Sequence, residues 1–470
     1  MNISGRKYHS ILILIIILAC TSLVCACSDS DDDDDDNDAG GDDDDSGDDD
    51  DDDDSDPGPF QVGFAKVDVT PDIPVMMAGY GSAFLSDRFC RWSTGVHDPL
   101  YAHAVAFDDP QNQPIILIVL DNVGTITNEI VRIQAEIAQA LEIQEKSIVV
   151  AATHTHHGPD TIGLWGVIVP PETGRQEEVI EQIVQGAVQA GIDAYEARVP
   201  ARLEYAVGEE SRCHFNKVFL DPNRIMDSTL TLIAAYDEND RLIGSLLNWA
   251  AHPTLLTADN TLISADYPGS YYKYMDQELG GTHMFVNGAI GASIQVLAVN
   301  DGWKKWIAQS ADWDDWEDIG VAFMQDALEL MDRAEPIEDP SIWLLETSEV
   351  NALVENLIFW LASEVDLIPR EVPPVGEYGT TYMTTFAIGP VTFGTVPGEY
   401  VPDYSFAIRE VMGGDAQVII GLGMDWIGYA ITPEQYENIA YLYEAFLCPS
   451  RWAGEELMDI YHGIWDPERE

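Results

Sequence analysis

A run of aspartate, serine and glycine at residues 28–56 determines which part of this 470-residue chain can fold. The run contains 20 aspartates and almost no apolar side chain. Such a segment cannot bury apolar surface, and its like charges repel one another. We therefore predict a disordered acidic spacer over residues 28–57 and a single folded domain over residues 58–470, which is long enough to bury a large core.

The residues before the spacer resemble a bacterial lipoprotein signal peptide. Two basic residues precede an apolar run at 11–19, which is short for a membrane span. Val24-Cys25-Ala26-Cys27 resembles a lipobox and predicts a signal peptide over 1–27 with lipidation at Cys27. Cys20 is the alternative lipidation site, and an uncleaved anchor is the alternative to cleavage. The expected location is the bacterial cell envelope, on an outer membrane, at its periplasmic or surface side.

The net charge of −61 excludes one class of function. A chain this acidic does not bind nucleic acid through phosphates, and anionic lipid surfaces repel it. Lipidation rather than charge would then hold it at a membrane. Three cysteines follow the leader, Cys90, Cys213 and Cys448, so at most one disulfide forms, and their spacing matches no zinc knuckle.

Hydrophobic periodicity favours the α/β class. The pattern predicts strands at 61–69, 114–121, 147–152 and 242–249 and helices at 128–141 and 177–195. Later in the chain it predicts a helix at 306–331, a strand at 388–395 and a helix at 433–446. Strands that alternate with helices of this length indicate one large domain with a mixed sheet and flanking helices.

Histidines stand where two predicted strands end. His154 and His156 follow the strand at 147–152, and in an extended chain alternate side chains share a face. His252 follows the strand at 242–249, and Glu399 comes after a Pro-Gly pair. Two histidines and a carboxylate form a zinc site with an open position. The same residues are also compatible with turn histidines and a helix-start carboxylate.

Six segments together resemble the neutral/alkaline non-lysosomal ceramidase family, and they occur in that family's order. They include the motif Thr153-His154-Thr155-His156-His157-Gly158-Pro159. The segments are Val62–Pro71, Gly95–Ala102, Ala152–Pro159, Asn248–Thr254, Pro397–Glu399 and Gly428–Tyr436.

The resemblance implies a zinc ion held by two histidines, a glutamate and a tyrosine. In this chain those positions are His154, His252, Glu399 and Tyr429, with the choice between His154 and His156 left open. It also implies that His156 is a neighbouring acid/base or oxyanion contact. Arg212, in Ser-Arg-Cys, is similar to a family arginine directed at the substrate carbonyl.

The chain departs from the family at the expected nucleophile. The slot for the family's serine holds Ile294, and Ser293 lies one residue earlier, where an extended chain would turn it to the opposite side. We keep Ser293 as a candidate catalytic residue. Either water replaces the serine, or ceramidase activity is lost. The chain also ends at Glu470, which leaves no room for the family's C-terminal β-sandwich domain.

Three functional hypotheses follow. The first is a lipid-anchored, zinc-dependent hydrolase of sphingolipid metabolism that cleaves the amide bond of ceramide or another N-acyl lipid. The second is a catalytically degenerate, ceramidase-like surface binding protein. The third is a metallohydrolase with a different substrate. Serine esterases and thermolysin-like enzymes are excluded because the chain has no Gly-x-Ser-x-Gly and no His-Glu-x-x-His.

Overall fold

The computed structural model describes residues 58–81 and 87–465. The predictions for the signal peptide, for Cys27 and for the acidic spacer lie outside the described residues. The strands are Gln61–Asp68 (β1), Gly95–Val96 (β2), Tyr101–Asp108 (β3), Ile115–Leu120 (β4), Ile148–Ala152 (β5), Val199–Glu209 (β6), His214–Asn216 (β7), Thr229–Asp237 (β8), Leu242–Trp249 (β9), Leu262–Ile263 (β10), Thr282–Asn287 (β11), Ile294–Val296 (β12), Glu335–Pro336 (β13), Ile342–Leu353 (β14), Tyr378–Ile388 (β15), Val391–Val396 (β16), Glu399–Tyr400 (β17), Ala416–Gly421 (β18) and Tyr429–Ala430 (β19). The α-helices are Thr127–Leu141 (α1), Glu177–Glu196 (α2), Tyr267–Glu278 (α3), Gly302–Ala308 (α4), Trp313–Asp332 (α5), Leu357–Glu364 (α6), Pro402–Met412 (α7), Pro433–Tyr436 (α8), Leu442–Phe446 (α9) and Ala453–Trp465 (α10).

A nine-stranded mixed sheet forms the centre of the fold. Its order is β11-β9-β8-β6-β1-β3-β4-β5, with β13 paired to β6. The pairs β4–β5 and β9–β11 are parallel, and β1–β3 and β8–β9 are antiparallel. Strand β4 is apolar at every position and fully buried, as expected for a strand covered on both faces. The prediction of an α/β domain with a mixed sheet and flanking helices is confirmed.

Helices α1 and α2 pack together, and α2 covers strands β1 and β3. Helix α1 buries Ile130, Ile133 and Ile137, which recur at helical spacing and form its inner face. Helix α2 approaches β1 so closely that a Cβ on Gly63 would lie 2.1 Å from the carbonyl oxygen of Ala194. Only glycine therefore fits at this position of β1.

The two ends of the main sheet approach each other. Strands β5 and β11 are in contact, and β18 of a second, four-stranded sheet contacts both. Because of this curvature, the carboxyl ends of β5 and β9 lie near one another although five strands separate them in the order. The second sheet (β14-β15-β16-β18) leads into β17, which pairs with β19 in parallel.

Three predicted elements are interrupted in the structure. The predicted strand at 388–395 contains the turn between β15 and β16, where Gly389 has a φ of 53°. The predicted helix at 306–331 is two helices, because Gln309 is left-handed and Asp312 begins α5 with a capping box. The predicted helix at 433–446 is also broken, since Asn438 caps a new turn.

Cys90, Cys213 and Cys448 are buried, and Cys213 and Cys448 are free thiols within the described part of the chain. Among residues 58–81 and 87–465, no helix combines the length and the apolar character needed to cross a bilayer.

Candidate metal centre

Four segments bring their side chains to one buried point. His154 and His156 follow β5, and His252 follows β9. Glu399 begins β17, and the parallel register of β17 with β19 sets it directly opposite Tyr429. The structure therefore brings together the five sequence-predicted residues of the histidine, carboxylate and tyrosine set.

The two histidines after β5 reach this point by a local turn rather than by strand alternation. Strand β5 ends at Ala152, and His154 has a φ of 69°, in the left-handed region that non-glycine residues rarely adopt. Strain of this kind persists only where the surrounding structure enforces it, and it is concentrated at functional sites. The expectation that His154 and His156 point the same way holds, but the extended geometry behind it does not.

The donor atoms lie close enough to one another to bind a single metal ion. Nε2 of His154 is 3.2 Å from Nε2 of His156 and 3.7 Å from Oε1 of Glu399. Nε2 of His252 is 3.1 Å from Oε2 of Glu399 and 3.5 Å from the Tyr429 hydroxyl. The facing donor atoms of the three histidines all lie within 4.8 Å of one another.

Backbone carbonyl oxygens hold the Nδ1 atoms of two histidines, on the side of each ring that faces away from the cluster. Nδ1 of His154 contacts the carbonyl oxygen of Val123, and Nδ1 of His252 lies 2.7 Å from that of Ile294. A proton on each Nδ1 leaves each Nε2 as a lone-pair donor toward the cluster, which is the arrangement that orients metal-binding histidines. The Trp426 indole donates to Oε1 of Glu399 at 3.2 Å and orients the carboxylate in the same way.

His156 differs from its two neighbours. Its Nδ1 is buried and has no hydrogen-bond partner among the described residues. The ring occupies space that a side chain at position 79 would fill, since a Cβ on Gly79 would lie 2.1 Å from Cγ of His156. Gly79 also has a φ of 92°, so glycine is required there on both grounds.

Burial determines the charge state of the cluster. It lowers the pKa of His154 to about 4 and that of His156 well below its usual value, so both rings are neutral at pH 7. Burial opposes ionisation of Glu399, but the His154 and His252 rings and the Tyr429 hydroxyl hold the pKa of this carboxyl below its usual range. Neutral imidazoles beside an ionised carboxylate form a donor set that fits a divalent metal ion.

Ser293 lies in a tight turn rather than in an extended chain. Ala292 and Ser293 have φ values of 57° and 49°, so the alternation that placed Ser293 on the opposite side does not apply. The Ser293 hydroxyl donates to Oε1 of Glu444 at 2.8 Å. Ile294, in the family's serine slot, supports His252 through its carbonyl oxygen, which accepts from both the backbone N–H and Nδ1 of that histidine.

The structure does not bring Arg212 to the cluster. Its guanidinium is largely exposed and forms ion pairs with Glu210 and Asp326. Sequence reasoning missed two cations near the site, Lys217 and Arg91, and the Arg91 guanidinium donates to the backbone carbonyl oxygen of His156. Burial lowers the pKa of Lys217, and the carboxylates of Glu444 and Glu399 oppose that effect. No sequence signal indicates Lys217, because its place depends on the pairing of β7 with β12, which sets the chain leading to Lys217 beside the strand that begins at Ile294.

A cavity of about 380 Å³ adjoins the cluster on the side of Trp426. Trp426 lines the cavity and also donates to Glu399, so it forms a wall between the two. The other lining residues include Ile126, Ile162 and Phe359, and the volume is in the range of small-ligand sites.

Three comparisons place this chain among known proteins. The family described as neutral/alkaline non-lysosomal ceramidase, N-terminal, matches residues 60–295. The neutral ceramidase of Pseudomonas aeruginosa is 25% identical over 298 residues, which cover 60% of this chain and 43% of that protein. The neutral ceramidase of Mycobacterium tuberculosis is 27% identical over 239 residues, which cover 47% and 36%. This chain thus matches less than half of the length of these relatives.

The fold agrees with the sequence comparison. A crystal structure of the neutral ceramidase from Pseudomonas aeruginosa superposes with a TM-score of 0.71 at 19% identity, over 86% of this chain and 74% of that one. The matched residues 60–295 contain His154, His156 and His252, whereas Glu399 and Tyr429 lie outside them. This chain belongs to the neutral/alkaline non-lysosomal ceramidase family.

Proposed function

We propose that this protein is a zinc-dependent hydrolase that cleaves the amide bond of an N-acyl lipid such as ceramide. One observation carries the proposal. His154, His252, Glu399 and Tyr429 direct donor atoms to one buried point, and the far nitrogen of each of these two histidines is fixed by a backbone carbonyl. Family membership supports the reaction class, since the relatives are named neutral ceramidases.

Four residues would hold the metal. They are His154, His252, Glu399 and Tyr429, and His154 is favoured over His156 because its Nδ1 is anchored to a carbonyl oxygen. Imidazole nitrogen, carboxylate and phenol oxygen together suit Zn²⁺. When bound, such an ion polarises a carbonyl group and lowers the pKa of a water molecule.

The chain's own residues then act on the substrate and on the proton. The neutral His156, with Nε2 at the cluster, would accept a proton from the attacking water and return it to the leaving amine. Lys217 would balance negative charge that develops on the carbonyl oxygen. Burial of the cluster excludes bulk water, which strengthens both interactions.

We further propose that water, not a serine hydroxyl, attacks the carbonyl carbon. Ile294 occupies the family's serine slot, and the hydroxyl proton of Ser293 is already donated to Glu444. The attack forms the bond from water oxygen to the carbonyl carbon and breaks the carbon–nitrogen bond. The products are a free fatty acid and an amine.

The decisive experiment uses the full chain in a non-lipidated form. The protein is stripped with a chelator and restored with Zn²⁺, and ceramide hydrolysis is followed by mass spectrometry. We expect release of fatty acid and sphingosine that needs zinc and is lost in His252→Ala. His283→Ala is the matched control, because His283 is also buried but contacts Ser245 and Gly280 instead. No metal uptake by the unsubstituted protein would refute the proposal.

Ile294 also favours a second candidate, a binding protein on a degenerate ceramidase fold. Such a protein would keep the metal and the lipid affinity but not turn over ceramide. Stoichiometric zinc without hydrolysis of any N-acyl substrate would support this candidate over the first. Hydrolysis of another amide but not of ceramide would indicate a metallohydrolase with a different substrate.

We also propose that the protein is a lipoprotein of the bacterial cell envelope. Lipidation at Cys27 would anchor it, and residues 28–57 would hold the domain at 58–470 clear of the membrane. Metabolic labelling with a fatty acid would detect the anchor. We expect incorporation in the unsubstituted protein and none in Cys27→Ser.

A further inference from the structure

Exposed apolar side chains are concentrated in three short segments. In the described part of the chain, the four most exposed large apolar residues are Ile439 (79%), Leu220 (78%), Ile307 (71%) and Leu442 (66%). All four belong to residues 217–226, 299–307 or 439–443. Isolated exposed apolar residues need no explanation, but a contiguous group marks a binding surface.

Side-chain contacts join the three segments. The ring of Phe219 lies 6.0 Å from that of Trp303 and 5.7 Å from that of Trp306. The Tyr441 hydroxyl donates to Asp221 at 2.9 Å. The surface so formed is named the apolar rim, and its exposed members are Phe219, Leu220, Trp303, Ile307, Ile439 and Leu442.

The apolar rim adjoins the candidate metal centre. The ring of Tyr443, next to Leu442, is 5.8 Å from the ring of Tyr429. The Lys217 amine is 5.2 Å from the centroid of the same Tyr443 ring, and its charge acts on Glu399. Lys217 is followed two residues later by Phe219. A surface docked on the apolar rim would thus lie beside the candidate site.

The local charge differs from that of the whole chain. The three segments carry the basic residues Lys217, Arg224, Lys304 and Lys305 and only two acidic ones, Asp221 and Asp301, in a chain of net charge −61. Helix α4 also combines two tryptophans with two lysines. Tryptophan with lysine is the composition of segments that lie at membrane–water interfaces.

We propose that the apolar rim docks on a zwitterionic phospholipid surface and brings the candidate metal centre to its lipid substrate. The choice of lipid rests on the proposed function and on charge. The net negative charge of the chain opposes anionic membranes and also a second copy of itself, whereas the small net charge of the three segments permits contact with zwitterionic headgroups. Docking buries leucine, isoleucine and tryptophan side chains in the interface.

The test measures co-sedimentation of the full chain with phosphatidylcholine vesicles, in a Cys27→Ser background so that no lipid anchor contributes. The variant is Leu220→Ser combined with Ile307→Ser. The matched control is Val131→Ser with Val199→Ser, which removes exposed apolar residues from α1 and β6. We expect at least about tenfold weaker partitioning for the rim variant and about the unsubstituted value for the control, from the apolar area lost.

Two outcomes would overturn the inference. One is equal vesicle binding by the rim variant and the unsubstituted protein, or no binding by either. The other is a concentration-dependent dimer in sedimentation velocity that the rim variant loses while vesicle binding is absent, which would assign the surface to a second copy.

Failure of this inference is distinguishable from failure of the proposed function. A short-chain soluble ceramide is hydrolysed without docking, so turnover of it without vesicle binding would refute only the rim. Vesicle binding that depends on Leu220 and Ile307, without any turnover, would refute only the proposed hydrolase.

Discussion

Two buried histidine–carboxylate groups in the described part of the chain include histidines of the segment after β5, and only the group at Glu399 is suited to a metal. In the candidate centre, the oxygens of Glu399 face His154 and His252 and accept no N–H from the backbone of the described residues. In the second group, Nε2 of His157 lies 3.2 Å from Asp266. The oxygens of Asp266, however, accept the backbone N–H groups of residues 255, 256 and 267.

The comparison shows that proximity of histidine to carboxylate does not by itself indicate a metal site. What matters is whether the carboxylate oxygens are already used by the backbone. Asp266 closes a loop and begins helix α3 as its N-cap. Glu399 instead contacts the side chains of His154 and His252, whose Nδ1 atoms are held by backbone carbonyl oxygens. This arrangement is found around metal ligands.

We expect the largest effect from substitution of Glu399, which should abolish most of the catalytic activity. Glu399→Gln removes the charge that offsets a cation, so we expect zinc content to be lost. Turnover should fall roughly 1,000-fold, because a metal contributes several kcal/mol to transition-state stabilisation. Metal analysis by mass spectrometry and ceramide turnover measure both effects. Full zinc occupancy in this variant would contradict the assignment of Glu399.

Asp266→Ala should show the opposite behaviour. Three backbone N–H groups lose their acceptor, so we expect the free energy of unfolding to fall by about 3–5 kcal/mol while zinc stoichiometry is kept. Urea denaturation measures the first and metal analysis the second. Asp259→Ala, an exposed aspartate in the same loop, is the control and should change neither. Loss of zinc from folded Asp266→Ala would remove the distinction between the two groups.

Substitution of Lys217, a cation near the centre, should give the next effect in size. Lys217→Met should lower kcat/KM roughly 100-fold, as does the loss of one charge-stabilising donor. Arg212→Met should leave kcat/KM unchanged, because Arg212 pairs with Glu210 and Asp326 at the surface. Steady-state kinetics on a soluble short-chain ceramide would compare them. A larger loss of kcat/KM in Arg212→Met than in Lys217→Met would support the sequence-based prediction that Arg212 acts at the substrate carbonyl.

The smallest expected effect concerns Ser293. If water attacks the substrate, Ser293→Ala should keep turnover within about twofold, because only the hydrogen bond to Glu444 is lost. Turnover and intact-protein mass during the reaction are the measurements. A large loss of turnover, together with an acyl adduct on the unsubstituted protein, would instead identify Ser293 as a nucleophile.

Strands β1, β4, β5 and β9 of the main sheet could be predicted from the sequence because each is a short, largely apolar run, whereas the longer, partly exposed β6 was not predicted. The run at 115–120 is apolar throughout, and the helices around it are amphipathic. The sequence also indicated His154, His156 and His252, since each follows such a run. The break at 309–312 could not be predicted, because it depends on Asp312 capping helix α5 within a continuous helical pattern.

The parts of the site that sequence reasoning missed depend on backbone geometry and on long-range pairing. The left-handed conformation of Ser293 is not encoded by a glycine, so an extended chain was the natural expectation. The pairing of β7 with β12 brings Lys217 within electrostatic range of Glu399. Arg212, which is similar in its sequence context to a family arginine, is directed to the surface.

The parallel pairing of Glu399 with Tyr429 has a consequence for how such a centre changes over evolution. The nitrogen donors come from residues 60–295, which match the N-terminal ceramidase family, and the oxygen donors come from a separate two-stranded unit. Substitutions in that unit can alter metal preference or remove catalysis without disturbing the histidines. A protein that matches this family only over the region equivalent to residues 60–295 therefore shares the histidine ligands alone. Its chemistry depends on the residues that correspond to Glu399 and Tyr429, which lie outside that region.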